Sequence, residues 1–194
     1  GFDLAGTCLG MVKKNKIITG DGIKAGDALI GLASSGIHSN GLTLARKIVE
    51  KNGLGYKDKV KGLHRSIGLE LLEPTEIYVR RVLALAAKYD VRGMANITGG
   101  GLRNLIRLKK GMGFEVESPM KPHAIFNVLQ DLGGVSDQEM YQIFNMGMGF
   151  CFVVPERQAD AAVKAAGKGA KIVGHAVKSN SITVPDLDLE YSKY

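Results

Sequence analysis

Ala28-Leu-Ile-Gly-Leu-Ala-Ser-Ser-Gly-Ile-His-Ser-Asn-Gly41 is the stretch that decides the fold. Residues 28–33 are apolar, too few for a helix, and bounded by Gly26-Asp27 and Ser34-Ser35-Gly36, as expected of a strand buried on both faces. Leu42, Ala45, Ile48 and Val49 then recur at helical spacing, so a helix is predicted behind Ser39 or Asn40 as N-cap, ending before Asn52-Gly53. The same order returns downstream, where a strand over 91–98 runs into Gly99-Gly100-Gly101 and a helix over 102–108. Strand, glycine loop and helix in alternation predict an α/β (α+β) fold, a mixed β-sheet layered with α-helices, as one domain over 1–194.

Working outward, residues 3–12 are small and apolar, and Lys13-Lys-Asn-Lys16 turns into Ile17-Ile18, so the chain is expected to open as two strands. Residues 53–66 are polar, rich in Lys and Gly, and predict a long mobile loop rather than a domain boundary. A short helical stretch covers 67–72, and Pro74-Thr75 opens a helix over 76–89 with Ile77, Val82, Leu83, Leu85, Ala86 and Tyr89 on its apolar face. A strand at 114–117, a helix over 122–132 with Pro122 in its first turn, and a helix to Phe144 behind the capping-box pattern Ser136-Asp-Gln-Glu139 follow. Asn145-Met-Gly-Met-Gly149 enters a strand at 150–154, an Ala-rich helix spans 155–166, and strands cover 171–177 and 182–184. Asp186-Leu-Asp-Leu-Glu190 reads as a polar terminus.

Composition narrows the function classes. The 194 residues can bury about 70% of their unfolded surface, and 45% hydrophobic with 23% charged residues is an ordinary globular balance. Glycine is the exception, 26 residues or about twice the usual ~7%, clustered between apolar runs. No apolar run approaches the ~18 residues that span a bilayer, so no membrane partner is expected. The net charge of +7 suits a phosphate ester, whereas scattered lysines, no Trp and 6% aromatics argue against nucleic acid. Cys8 and Cys151 sit in strand-like stretches without zinc or disulfide spacing, which points to a reducing cytoplasm. The first residue is not Met, so the chain is read as part of something longer.

Three loops are candidates for chemistry. In residues 34–41, glycines allow close approach of the backbone, the following helix directs N–H groups at an anion, and Ser39 and Asn40 add donors; a capped strand-to-helix connection is the plain alternative. The Walker A spacing is absent. His38 in this loop is a candidate acid, base or phosphate contact, whereas His64, His123 and His175 lack such a setting, with packing favoured for His175. In Asn96-Ile-Thr-Gly-Gly-Gly101, three glycines allow either ligand approach, with Thr98 facing it, or a crossing too crowded for a Cβ. For residues 145–149 close packing is at least as good a reading as binding, and Met146 and Met148 are expected in the core. Arg80 and Arg81 are read as a solvated helix face.

Gly36-Ile-His-Ser-Asn-Gly41, Pro74-Thr75-x-Ile-Tyr-Val79, Thr98-Gly-Gly-Gly101 and Glu139-Met-Tyr-x-x-Phe-Asn-x-Gly147, in this order, resemble the C-terminal half of the aminoimidazole ribonucleotide (AIR) synthetase family, the phosphoribosylformylglycinamidine cyclo-ligases of purine biosynthesis. The resemblance covers essentially the whole chain, including Asp3-Leu-Ala-Gly6. It implies a ligase in which ATP phosphorylates the formyl amide oxygen of formylglycinamidine ribonucleotide, the amidine nitrogen closes the imidazole ring, and phosphate leaves. It also implies that ATP and Mg²⁺ are held mostly by an N-terminal domain absent from this chain, that the active site lies between the two domains of a homodimer, and that this fragment alone is inactive. By position, Ser35, Ser39, Asn40 and Gly41 would bind the phosphorylated ribonucleotide, His38 would move a proton or touch phosphate, and Thr98, Gly99, Gly100 and Gly101 would border the site; no metal ligand is implied.

One residue departs from the family. Many relatives resemble His-Leu-Thr-Gly-Gly-Gly where this chain has Asn96, which hydrogen-bonds but cannot shuttle a proton. Formylglycinamidine ribonucleotide synthetase, selenophosphate synthetase and thiamine monophosphate kinase are sister activities. A related hydrogenase-maturation protein usually ends in a reactive cysteine, which Tyr191-Ser-Lys-Tyr194 lacks. A non-catalytic phosphate-binding or dimerisation module is the alternative of a different class.

Overall fold

The computed structural model describes residues 5–192. Seven strands, β1 (Ala28–Ala33), β2 (Gly93–Asn96), β3 (Gly113–Glu115), β4 (Met148–Val154), β5 (Ala170–Val177), β6 (Ile182–Val184) and β7 (Leu189–Tyr191), form one sheet in the order β2-β4-β1-β5-β3-β6-β7. Neighbouring strands are antiparallel except β3 and β6, so the sheet is mixed. The helices are α1 (Leu42–Lys51), α2 (Ile67–Leu71), α3 (Val79–Lys88), α4 (Ala124–Gly133), α5 (Asp137–Ile143) and α6 (Ala159–Ala166).

The period of two in β1 sorts the layers. Ala28, Ile30 and Leu32 pack with Val82 and Leu85 of α3 and Ala162 and Ala166 of α6, whereas Leu29 joins the larger cluster containing Ile48 and Val49 of α1, Phe126 and Leu129 of α4, and Met140 of α5. Helices therefore cover both faces, and the central strand reads as a continuous apolar run because neither face meets water. Gly31 fits between β4 and β5 because a Cβ there would lie 2.8 Å from Val173 Cγ1 and 2.9 Å from Met148 Sδ. No described helix is long and apolar enough to cross a membrane.

Four expectations need correction. Residues 5–12 form no strand, and Ile17-Ile18 none either; residues 1–4 lie outside the described ones, and the Lys-rich turn is a 3₁₀ turn at Lys14–Lys16. A strand needs a partner for its backbone groups, and no described strand offers one to this segment. Cys8 is accordingly exposed, while Cys151 lies buried in β4 with its thiol pushed up to about 12 by burial. The supposed polar terminus is β7, where Leu189 and Tyr191 turn inward and Glu190 outward against β6. Residues 101–108 wind as a 3₁₀ helix, and Pro122 precedes rather than enters α4, whose N-cap is His123.

The 53–66 stretch is tied to the start of α2, Gly68 N–H donating to Tyr56 O at 2.9 Å and Ile67 N–H to Asp58 O at 3.0 Å. At α5 the Ser136 hydroxyl accepts from Glu139 N–H at 3.3 Å, as its pattern predicts. Removing that oxygen in Ser136→Ala should cost about 1 kcal/mol, measured by urea unfolding; unchanged stability would show that water caps the helix equally well.

Candidate functional site

Strand directions gather the motifs. Since β4 runs antiparallel to both β1 and β2, the ends of β1 (Ala33) and β2 (Asn96) and the beginning of β4 (Met148) lie at one edge of the sheet. The loops 34–41, 97–101 and 145–149 are therefore neighbours, and residues 74–78, just ahead of α3, join them.

His38 holds this junction together. It is 5% exposed and adopts φ +59°, a left-handed conformation that turns its ring inward. Ser35 N–H donates to its Nε2 at 3.1 Å, and Glu76 N–H makes a longer approach of 3.5 Å. Nε2 is thus the unprotonated nitrogen, and the neutral ring carries its proton on Nδ1. Burial lowers the pKa of His38, the nearby His123 lowers it further, and Glu76 opposes both. The Ser35 hydroxyl donates to Pro74 O at 2.6 Å, and Ser39 Oγ lies 3.3 Å from Thr75 Oγ1, so the loop is stitched to 74–76 at three points.

Its other side is held by residues to which the sequence analysis gave no role at the site. Tyr78 O–H donates to Ala33 O at 2.7 Å, and burial raises the pKa of its phenol. His123 Nε2–H donates to Ser34 O at 2.8 Å. Asn145, 4% exposed, donates from Nδ2 to Gly36 O at 2.9 Å and accepts Gly147 N–H on Oδ1 at 2.9 Å. A side chain at Gly149 would run into Tyr78 and His38, so that glycine serves packing, as it does at Gly147 against Lys121 and Pro122. Met146 and Met148 are in the core.

The N-cap expectation is corrected here. Gly41, at φ +74°, occupies the N-cap of α1 with no side-chain cap bond. Ser39 and Asn40 are not spent on the helix: Ser39 is exposed, Asn40 half-buried, and the first N–H groups of α1 have no side-chain partner from its N-cap. The glycine loop divides by role. Gly99 is exposed, and its missing Cβ would lie 3.5 Å from Asn40 Oδ1, so it faces the first loop. Gly101, at φ +53°, is pressed against the Tyr141 carbonyl, a crossing with no room for a Cβ. Gly100 is buried, and Thr98 is turned inward, its N–H and hydroxyl both donating to Asn104 Oδ1 at 2.7 and 3.2 Å. The accessible polar surface is Ser39, Asn40, Gly41, Gly99 and part of Ser35, with Asn96 exposed beside it.

The family profile described as "AIR synthase related protein, C-terminal domain" matches residues 24–186. The chain belongs to this family. It is 51% identical over 98% of its length to a phosphoribosylformylglycinamidine cyclo-ligase of Methanosarcina acetivorans, and 50% identical over 97% to that of Methanococcoides burtonii. It spans 56% of the length of each of these curated relatives. Among solved structures, the hydrogenase maturation protein HypE in complex with ATP shares the fold with a TM-score of 0.56, at 18% identity, over 89% of this chain and 51% of HypE.

Within this AIR synthase related domain the four resemblance motifs are one structure: Asn145 binds the backbone of the His38 loop, Tyr78 binds the end of β1, and Gly99 meets Asn40. His175 pairs with Glu117 at 3.0 Å away from this junction, rather than packing in the core. Among the described residues no three His, Cys, Asp or Glu side chains come together to hold a metal.

Proposed function

We propose that this chain is the ribonucleotide-binding half of a phosphoribosylformylglycinamidine cyclo-ligase. The observation that carries the reading is the convergence of the family's motifs on one accessible rim, in a chain about half identical to proteins of that name. In the reaction, the formyl amide oxygen attacks the γ-phosphorus of ATP, forming an O–P bond while the bond to ADP breaks. The amidine nitrogen then attacks the activated carbon and loses a proton, the C–N bond closes the ring, and the C–O bond to phosphate breaks. ATP is needed because an amide oxygen is otherwise too poor a leaving group.

Ser35, Ser39, Asn40 and Gly41, with the first N–H groups of α1, bind the anionic ribonucleotide, and Gly99 lets it approach. Thr98, Gly100 and Gly101 shape the border from behind. His38 acts on the reaction by holding the loop, because its Nε2 is engaged by Ser35. ATP and Mg²⁺ are bound mainly by an N-terminal half; what supports ATP as a substrate is that HypE, a protein of this fold, forms a complex with ATP. The complete enzyme is a cytoplasmic homodimer.

In the completed enzyme, Asn40→Ala should raise KM for formylglycinamidine ribonucleotide about tenfold, for one lost charge-assisted hydrogen bond, and leave KM for ATP within twofold. Initial-rate kinetics with each substrate varied separately measure this. An equal rise in both, or in ATP alone, would move the rim from the ribonucleotide to the nucleotide.

A further inference from the structure

Residues 73–78 belong to no helix or strand, yet they form one wall of the candidate site. Four consecutive residues of this strap meet the His38 loop. A Cβ at Gly36 would lie 3.2 Å from Glu73 Cβ, Pro74 O accepts the Ser35 hydroxyl, Thr75 Oγ1 lies beside Ser39 Oγ, and Glu76 N–H approaches His38 Nε2. The backbone leading into the strap does little to fix it. Glu73 N–H reaches Glu70 O only at 3.4 Å, and α2, just ahead, has five residues and no side-chain cap at its N-terminus. A helix that short does not hold its ends by itself.

Arg65 supplies a tether. Its Nε–H donates to Glu70 Oε1 at 3.0 Å, and its Nη2 lies 2.7 Å from Glu73 Oε2, so one guanidinium spans α2 and the first residue of the strap. The base of the tether is firm. Next to Arg65, Ser66 bridges to Lys59, and Ile67 is fully buried with its N–H on Asp58 O. Two carboxylates three residues apart repel each other, and a planar, permanently charged guanidinium satisfies both with separate donors, a fork that an ammonium lacks. Exposed ion pairs of this kind add little to global stability, so the consequence of this one is local, at the wall it holds.

We infer that Arg65 is a positioning residue of the ribonucleotide rim: through Glu70 and Glu73 it holds the strap, and the strap holds Ser35, His38 and Ser39. This deepens the reading of the site above and rests on it. The stretch 53–66, which contributes no residue to the rim, acquires a role in substrate affinity through its one arginine.

The test compares Arg65→Gln, Arg65→Lys and Glu73→Gln in the completed enzyme. Arg157→Gln is the control, an exposed arginine beyond the end of β4, at the opposite edge of the sheet. Without substrate, hydrogen exchange over 34–38 and 73–77 should be about tenfold faster in Arg65→Gln and Glu73→Gln, with β1 and β4 unchanged. KM for formylglycinamidine ribonucleotide should rise about fivefold, while kcat and KM for ATP stay within about twofold. Arg65→Lys, which keeps the charge and loses the fork, should recover part of each effect, and Arg65→Gln with Glu73→Gln together should exceed neither single variant. Arg157→Gln should match the parent. Parent-like exchange in Arg65→Gln, exchange rising equally in β1 and β4, or a faster rim with unchanged KM would each overturn the proposal. A completed parent that closes no ring sinks the cyclo-ligase reading instead, and exchange, which needs no substrate, still decides whether Arg65 holds the rim.

Discussion

Gly149→Ala should destabilise the chain by about 2–4 kcal/mol and dismantle the candidate site with it. A Cβ at this position would fall on the Tyr78 hydroxyl, 2.6 Å from His38 Cε1 and 2.9 Å from Tyr78 Cζ. Neither ring is a flexible tip. Tyr78 donates to Ala33 O and packs 5.5 Å from the Phe150 ring, and His38 is held by Ser35 N–H. Making room costs about 1–3 kcal/mol of overpacking, and displacing the phenol costs about 1 kcal/mol more for its buried hydrogen bond. Urea unfolding measures the loss, with Gly10→Ala as control, because nothing lies within 4 Å of a Cβ there. Equal stability of Gly149→Ala and the parent would mean that the Tyr78–His38 packing is loose and the loop is set by other contacts.

His38→Ala should lower kcat/KM of the completed enzyme about 10²-fold, the cost of a loop misplaced by about 1 Å, while the protein stays folded. Ser39→Ala should lower turnover less, because it removes one rim hydroxyl and leaves the scaffold. His38→Asn separates holding from proton transfer. Asparagine tolerates the left-handed backbone and can accept from Ser35 N–H, so a positioning role predicts partial rescue and a proton-transfer role none.

The pH dependence has a definite sign. With its pKa depressed in the folded state, first by burial and then by His123, His38 binds protons more readily when unfolded. Its contribution to stability is complete above about pH 6.5 and is lost as pH falls from there towards the folded value. His38→Asn should flatten that part of the stability profile. A parent profile rising towards acid through the same window would contradict the assigned neutral ring.

Much of the fold was legible because it follows local rules. The buried run 28–33, the Ser136 cap and the β4 strand behind its alternating glycines all announce themselves in neighbouring residues. The failures depend on distant partners. Leu189 and Tyr191 became inward-facing only when β6 lay beside them, and residues 5–12 have a strand's composition with no described strand to pair with.

The site divides in the same way. Ser39 and Asn40 were legible as rim residues, although a helix cap was expected of them and Gly41 took that position. His123 lies far along the chain from Ser34, and only the route of the backbone beyond β3 brings its Nε2–H to that carbonyl. A Pro-His pair ahead of an apolar helix was the one signal available, and it reads as a helix start. Of the two uses read into three successive glycines, the crowded crossing is found at Gly101 against Tyr141, while Gly99 is turned to Asn40.

The central claim, that this rim belongs to a ring-closing ligase, is tested most directly by product. The chain is completed with its N-terminal half and supplied with ATP, Mg²⁺ and formylglycinamidine ribonucleotide, and aminoimidazole ribonucleotide is quantified against ADP. One aminoimidazole ribonucleotide per ADP, with the yield falling in His38→Ala and Ser39→Ala, is the predicted result. A folded protein that consumes ATP without closing the ring would contradict it and assign the rim to a sister activity of the same fold, with Asn96 the first residue to exchange for histidine.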